Sequence, residues 1–144
     1  MESQFNLKTL KNAEIILRCT MSITLLVAGI SKFFSMGNFY NYYSKEFAKE
    51  DLRINLPAFS FETYLALIPY LAVAIGIALL TTLKRRLFIV IWIIYFIMLE
   101  IGHYILEEFQ SANMIIPYII MGVMAYLLPG YENRITKNSI SSES

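Results

Sequence analysis

The sequence predicts an all-α integral membrane protein built as a bundle of four transmembrane helices. Of its 144 residues, 57% are hydrophobic and only 16% are charged, whereas about a quarter of the residues in a soluble domain are charged. The hydrophobic residues are concentrated in blocks of about 20, the length that an α-helix needs to cross the hydrocarbon core of a bilayer. A soluble bundle of buried helices is the alternative, but four such blocks would leave little polar surface for water to solvate.

Four continuous apolar blocks mark the predicted helices, which cover about residues 15–34, 64–83, 87–106 and 114–128. Strands of a membrane β-barrel would alternate apolar and polar residues instead. Glu14 and Arg18 interrupt the start of the first block, and no small-residue cleavage site follows it. We therefore expect this block to remain in the protein as a helix rather than to act as a secretion signal.

Two segments lie outside the apolar blocks. Residues 35–62 mix seven aromatic side chains with charges, a composition typical of the lipid headgroup region. They predict a long aromatic-rich outer loop between the first and second helices, with a short surface helix from Tyr43 to Arg53. Anchoring at the membrane interface is favoured over a lid that covers a site. Residues 131–144 predict a flexible polar tail, and residues 1–144 are expected to form one membrane domain.

Positive charges predict the orientation of the bundle. Lys84, Arg85 and Arg86 occupy the tight turn between the second and third helices, and such clusters remain on the cytoplasmic side. Residues 107–113 form the opposite turn and contain two acids and no base. Because the number of spans is even, both termini are expected in the cytoplasm. The three bases of the longer loop argue weakly against this orientation.

Small residues predict where the helices approach one another closely. Ala72 and Gly76 give the second helix a small-residue surface, and Gly29 and Gly122 are expected to do the same on the first and fourth helices. Pro69 removes one backbone hydrogen bond inside the second helix and is expected to kink it.

A polar cluster is predicted in the outer half of the bilayer. Glu100 lies about 20 Å along the third helix and His103 about 24 Å along it. Lys32 is near the outer end of the first helix, and Asn113 begins the fourth. These four residues are expected to converge below the aromatic loop, whereas Arg18, near the inner end of the first helix, is expected to bind cytoplasmic phosphates.

Glu100 and His103 are the candidate catalytic residues, and Lys32, Asn113 and Arg18 are the candidate binding residues. A carboxylate in lipid has to face the bundle, pair with a cation or take up a proton. Glu100 is suited to exchange a proton, and neutral His103 to donate to a carbonyl oxygen. A purely structural Lys32–Glu100 pair is an equally weighted alternative.

Several chemistries are disfavoured by residue counts. Cys19 is the only cysteine and His103 the only histidine, which excludes a disulfide relay within the chain and a bis-histidine haem, and disfavours a closed zinc site. One Glu-x-x-His motif does not make a di-iron centre. The sequence contains no glycine-rich phosphate loop of the kind that follows a strand, so nucleotide binding has no support. The near-neutral charge argues against nucleic acid as a partner, and no metal site is expected.

Several short motifs follow one another along the chain. Arg18 and Gly29-Ile30-Ser31-Lys32 come first, and these segments follow in order: Leu56-Pro57, Ile68-Pro69-Tyr70, Gly76 with Leu79-Leu80, and Leu99-Glu100-Ile101-Gly102-His103. This series resembles the pattern of the DoxX-like family of small four-helix membrane proteins, whose opening signature is Arg…Gly-x-x-Lys. The resemblance extends from about Arg18 to Pro129. One departure is Ala72, where the family commonly has a glutamate that Glu100 would have to replace.

The resemblance implies a multi-pass protein of the bacterial cytoplasmic (inner) membrane that is associated with redox systems. Family members are similar to membrane subunits of quinone-linked oxidoreductases and to factors that mature periplasmic redox enzymes. No flavin, haem or thiol-pair site is evident in the sequence, so a quinone or a protein partner would have to bring the electron chemistry.

Three hypotheses follow for the function. The first is a membrane subunit of a redox complex that binds a quinone head group or relays a proton at the outer polar cluster, and that is a subunit rather than a self-sufficient enzyme. The second is a non-catalytic anchor or assembly protein that docks a larger partner or a second copy of itself. A solute transporter is ranked last, because the four spans show no inverted repeat.

Overall fold

The computed structural model describes residues 2–49, 52, 54, 57–81 and 84–129. The described residues form helices and no strand, and the helices are α1 (Glu2–Phe34), α2 (Met36–Phe47), α3 (Ala58–Leu80), α4 (Arg85–Ile105), α5 (Phe109–Asn113) and α6 (Ile116–Leu127). Four segments are long and apolar enough to span a membrane, namely Leu7–Phe34, Ala58–Leu80, Arg85–Ile105 and Phe109–Leu127. The prediction of an all-helical protein with four candidate membrane spans is confirmed.

Some helix bounds differ from those predicted. The first two predicted helices correspond to α1 and α3, and both begin earlier than their apolar blocks. Hydrophobicity marks where a helix enters lipid, but the residues before that point can continue the same helix. The predicted fourth helix corresponds to α6, and part of the predicted outer turn, residues 107–113, forms the additional short helix α5. Pro117 lies in the first turn of α6. In one continuous helix its ring would clash with the carbonyl of Asn113, the last residue of α5, so the helix is interrupted between α5 and α6.

The connection between α1 and α3 is also partly helical, but α2 lies earlier than the predicted surface helix, which was placed from Tyr43 to Arg53. Residues 50, 51 and 53 of that prediction lie outside the described residues. The same holds for the predicted tail, residues 131–144.

A buried ionic cluster lies at one end of the bundle and consists of Glu14, Arg18 and Arg85. We call this end the basic end. Oxygen Oε1 of Glu14 lies 3.0 Å from Nε of Arg18 and 2.9 Å from Nε of Arg85. Glu14 is only 1% exposed. The Arg85 Nε is not in hydrogen-bond geometry, so its contact with Glu14 is an ionic one. The cluster joins α1 to α4.

Each arginine of the basic end also binds the last turn of another helix. Arg18 Nη1 donates to the carbonyl oxygen of Leu79 at 2.6 Å, at the end of α3. Arg85 Nη2 donates to the carbonyl oxygens of Ala125 and Leu128, at 3.0 and 2.6 Å, at the end of α6. Carbonyls in the last turn have no partner within their own helix. The arginines supply the missing donors and connect all four spans.

Arg18 was expected to extend to cytoplasmic phosphates. In the structure its guanidinium group is turned into the protein, because Glu14 and the end of α3 offer it an acceptor set within the bundle.

Glycines allow α1 and α3 to approach each other closely, as predicted from their small residues. A Cβ atom on Gly29 would lie 2.8 Å from Cγ2 of Val73, and one on Gly76 would lie 2.9 Å from Cγ of Leu26. Because the two helices lie so close together, Ser22 Oγ of α1 donates a 2.6 Å hydrogen bond to the carbonyl oxygen of Gly76 in α3. The two helices are therefore joined by backbone contact as well as by side-chain packing.

The second close pair is α4 and α6. Trp92 is fully buried and its Nε1 donates to the carbonyl oxygen of Tyr118 at 3.1 Å. Phe96 stacks on the ring of Tyr118, with 5.0 Å between centroids. A Cβ on Gly122 would lie 2.8 Å from Cδ1 of Trp92, so glycine is required here, as predicted for this position. The bundle thus consists of two closely packed pairs, α1 with α3 and α4 with α6, while α3 and α4 contact each other much less.

Replacing Glu14 by Gln is expected to lower the free energy of unfolding by about 3–5 kcal/mol, because two buried guanidinium groups would lose their only counter-charge within the cluster. Thermal unfolding in mild detergent would measure this change. Glu46→Gln is the matched control, since Glu46 pairs with Lys49 at the surface and such pairs contribute about 0–1 kcal/mol. Equal effects of the two substitutions would contradict the role assigned to Glu14.

Candidate functional site

A small pocket lies at the end of the bundle opposite the basic end. It has a volume of about 140 Å³ and is lined by residues from four helices, α1 to α4. We call it the aromatic pocket, and the residues that matter most are Lys32, Phe39, Tyr43, Tyr64, Gly102 and His103. Leu65, Ile68, Leu99 and Leu106 complete an apolar floor. The pocket therefore combines aromatic walls with the polar groups of Lys32, Tyr43 and His103.

Helix α2 forms one wall of the aromatic pocket. Phe39, Tyr43 and Phe47 line the pocket and are spaced four residues apart, which places them on one face of the helix. Phe47 also stacks on Phe61 of α3, with 5.7 Å between ring centroids. The aromatic residues that were expected to anchor a loop at the membrane interface thus cover a pocket in the structure.

Lys32 enters the pocket from α1 and rests on an aromatic ring. Its Nζ lies 5.1 Å from the ring centroid of Phe39, within the range of a cation–π contact. Among the described residues, no carboxylate forms an ion pair with Lys32. Its ammonium group is therefore available to an oxygen atom of a ligand.

His103 is held at the pocket by a carboxylate from the following turn. Its Nδ1 lies 2.8 Å from Oε2 of Glu108, and both side chains are about three-quarters buried. An ionised carboxylate can only accept a hydrogen bond, so with Glu108 ionised Nδ1 carries the proton. The other ring nitrogen, Nε2, is then left to interact with a ligand.

The end of α4 explains why Glu108 reaches back to His103. The backbone N–H of Glu108 donates to the carbonyl of His103, and that of Glu107 donates to the carbonyl of Tyr104. This pair of bonds is a Schellman motif, and Glu107 occupies its left-handed position with φ 59°. The motif folds the chain back over the last turn, which brings the two side chains together.

The ring of Tyr43 packs edge-on against His103, with 6.0 Å between centroids. Burial raises the pKa of the Tyr43 phenol above its ordinary value of 10.0, and the charge of Glu108 and the neighbouring Tyr42 raise it further. Tyr43 therefore remains a neutral phenol, able to donate a hydrogen bond, throughout the physiological pH range.

Tyr64 crosses from α3 to α4 beside the pocket. Its hydroxyl donates to the carbonyl oxygen of Met98 at 3.0 Å. A Cβ on Gly102 would lie 2.9 Å from this hydroxyl oxygen. Glycine at this position therefore allows the tyrosine to lie flat against α4.

The structure brings together only part of the predicted cluster. Lys32 and His103 both line the aromatic pocket, but Glu100 and Asn113 do not. Glu100 follows Leu99, which lines the pocket, and therefore lies about 100° further around the helix. It is half-buried, and no ion pair joins it to Lys32 among the described residues. Asn113 ends α5 and is exposed.

Sequence reasoning missed Glu108 and the buried role of Arg85. The signal for Glu108 was an acid five residues after the only histidine, just beyond a helix end. The signal for the basic end was the Glu14–Arg18 spacing of four residues, which places both side chains on one helix face.

No group of three metal-binding side chains occurs within the part of the chain that the structure describes. Comparison of the chain with protein-family models, with curated proteins and with solved structures gives no match.

Ionisation of Tyr43 is expected only above pH 10.0, because burial and the nearby carboxylate favour the neutral phenol. The stability that this phenol contributes is present below pH 10.0 and is lost as the pH rises through its higher pKa. The difference between the ultraviolet titrations of wild type and Tyr43→Phe isolates this one group. A difference spectrum with its midpoint below pH 10 would contradict the assignment.

Proposed function

We propose that the chain is a DoxX-like membrane subunit of a redox complex and that its aromatic pocket binds the head group of a quinone. One observation carries the proposal: a pocket with aromatic walls brings Lys32 and His103 together at one end of a bundle whose other buried charges are engaged in structural contacts. The motif resemblance described above supports the same class of protein.

The size of the pocket agrees with a single-ring ligand. Its volume is about 140 Å³, and an apolar cavity of about 150 Å³ is known to hold benzene. The aromatic walls offer stacking and edge contacts to a flat ring.

The polar groups of the pocket suit the two oxygens of a quinone. A quinone carbonyl accepts hydrogen bonds, and the donors at the pocket are the Lys32 ammonium and the Tyr43 hydroxyl. Nε2 of His103 is a further donor when the ring is protonated. Lys32 would stabilise negative charge that develops on an oxygen during reduction.

Reduction of a quinone to a quinol takes up two electrons and two protons. The pocket side chains are not electron carriers, so the electrons come from a redox partner of the complex. His103, when protonated at Nε2, is placed to supply one of these protons, and its hydrogen bond to Glu108 orients the ring. The second proton comes from water outside the bundle. His103 thus takes the proton-exchange role that the sequence analysis gave to Glu100.

In the proposed orientation, the basic end faces the cytoplasm of a bacterium and the aromatic pocket lies in the outer leaflet of the inner membrane. Arg85 is buried and pairs with Glu14, so it does not contribute a surface charge. The positive charges that favour this orientation are those of Lys84 and Arg86, which are exposed in the turn before and at the start of α4. Both described ends of the chain then lie on the cytoplasmic side.

The second candidate is a non-catalytic anchor or assembly protein that docks a larger partner. The observation in its favour is that Glu14, Arg18 and Arg85, the most deeply buried charges of the described chain, join helices to one another. Purification from the native membrane in mild detergent, followed by mass spectrometry, separates the two candidates. Stoichiometric quinone supports the first, and a protein partner with bulk lipid alone supports the second.

Lys32→Met is expected to weaken quinone binding by about tenfold or more, because a hydrogen bond to a charged group contributes about 1.5–3 kcal/mol. The measurement is equilibrium binding of a decyl-substituted benzoquinone to the protein in lipid nanodiscs. Lys45→Met is the matched control, since Lys45 lies on α2, is exposed and does not line the pocket. If both variants bind like the wild type, Lys32 does not hold the head group.

A further inference from the structure

Two apolar cavities lie along the crevice between α3 and α4, beside the aromatic pocket. The first has a volume of about 270 Å³ and is lined by Phe61, Tyr64, Met98, Ile101 and Ile105 among others. The second has a volume of about 260 Å³, and its lining includes Tyr64, Leu67, Leu71, Tyr95 and Met98. Both are almost entirely apolar. We call the two together the lateral groove.

The lateral groove borders the aromatic pocket. Tyr64 lines the pocket and both cavities, and Gly102 lines the pocket and the first cavity. The Tyr64 hydroxyl, which donates to the carbonyl of Met98, lies at the boundary between them. A ligand that occupies both the pocket and the groove therefore passes Tyr64.

The groove opens on the side of the bundle that faces lipid. Leu67, Met98 and Ile101 line it and are 48%, 47% and 52% exposed. Because α3 and α4 run in opposite directions, the two cavities follow one another along the crevice, from the level of Ile105 and Phe61 down to the level of Tyr95 and Leu71. An elongated apolar crevice of this kind suits a hydrocarbon chain that lies along it.

We infer that the lateral groove binds the hydrocarbon tail of the molecule whose ring occupies the aromatic pocket. The ligand is therefore a membrane-dissolved amphiphile with a single-ring head and one long apolar tail, and it enters from the bilayer between α3 and α4. This inference rests on the proposed function and adds the class of tail and the route of entry.

Ile101→Trp tests the groove, because an indole at this position fills the first cavity without reaching the head-group residues. Ile94→Trp is the matched control. Ile94 lies two turns away on the same helix face, is 51% exposed against 52% for Ile101, and lines neither cavity. The probes are a tailless benzoquinone and its decyl derivative, each measured by equilibrium binding to wild type and variants in lipid nanodiscs.

Ile101→Trp is expected to weaken binding of the decyl derivative by about tenfold, the effect of a moderate steric penalty, and to leave binding of the tailless ring unchanged. Unchanged binding of the tailless ring also shows that the variant is folded. Ile94→Trp is expected to change neither. The lipid around the protein is as apolar as the groove, so the expected loss arises from steric exclusion of the tail from the groove rather than from reduced hydrophobicity.

Other outcomes overturn the inference in distinguishable ways. If Ile101→Trp binds the decyl derivative like the wild type while Lys32→Met does not, the tail lies elsewhere and the proposed head-group site stands. If Ile101→Trp loses both probes, Ile101 supports the pocket itself and the groove is not a separate tail site. If wild-type protein binds neither probe, the inference and the proposed function both fail.

Discussion

Glu14 lies between the guanidinium groups of Arg18 and Arg85, where α3 and α6 end inside an apolar bundle. One carboxylate leaves an excess of one positive charge in this cluster. The C-terminal ends of α3 and α6 carry about half a negative charge each, and the arginines donate to carbonyls at both ends. The helix ends therefore balance the excess charge, and the Arg85 Nε that lacks hydrogen-bond geometry still lies in ionic contact with Glu14. This balance allows two arginines and a glutamate to be buried in an apolar bundle.

This cluster fixes the positions of the four spans at one end, and close packing at glycine fixes them in pairs along their length. Gly29 and Gly76 join α1 to α3, and Gly122 joins α6 to Trp92 of α4. Because the close contacts are made within these pairs, α3 and α4 are left with a crevice between them. The lateral groove occupies that crevice beside the aromatic pocket, so the features that stabilise the bundle also determine where the groove lies.

The chemistry of the pocket depends on two local structures beyond the spans. The aromatic face of α2 closes the pocket and keeps Tyr43 against His103. The Schellman motif at the end of α4 returns Glu108 to the same histidine. A histidine that is oriented by a carboxylate and shielded by an aromatic ring is suited to transfer protons, whereas a histidine exposed to lipid is not.

The sequence by itself determined the all-helical class, the four candidate spans and the glycine contacts, because bilayer thickness and backbone satisfaction leave few options for long apolar blocks. It also predicted that Lys32 and His103 lie at the same level of the bundle, and both line the aromatic pocket. Only the tertiary structure decided which charges meet. Depth fixes a residue along the helix axis but not its direction around that axis, so Glu100 was assigned to a pocket that it does not line. Arg18, assigned to lipid phosphates, instead caps α3, since its acceptors are backbone carbonyls about sixty residues away along the chain.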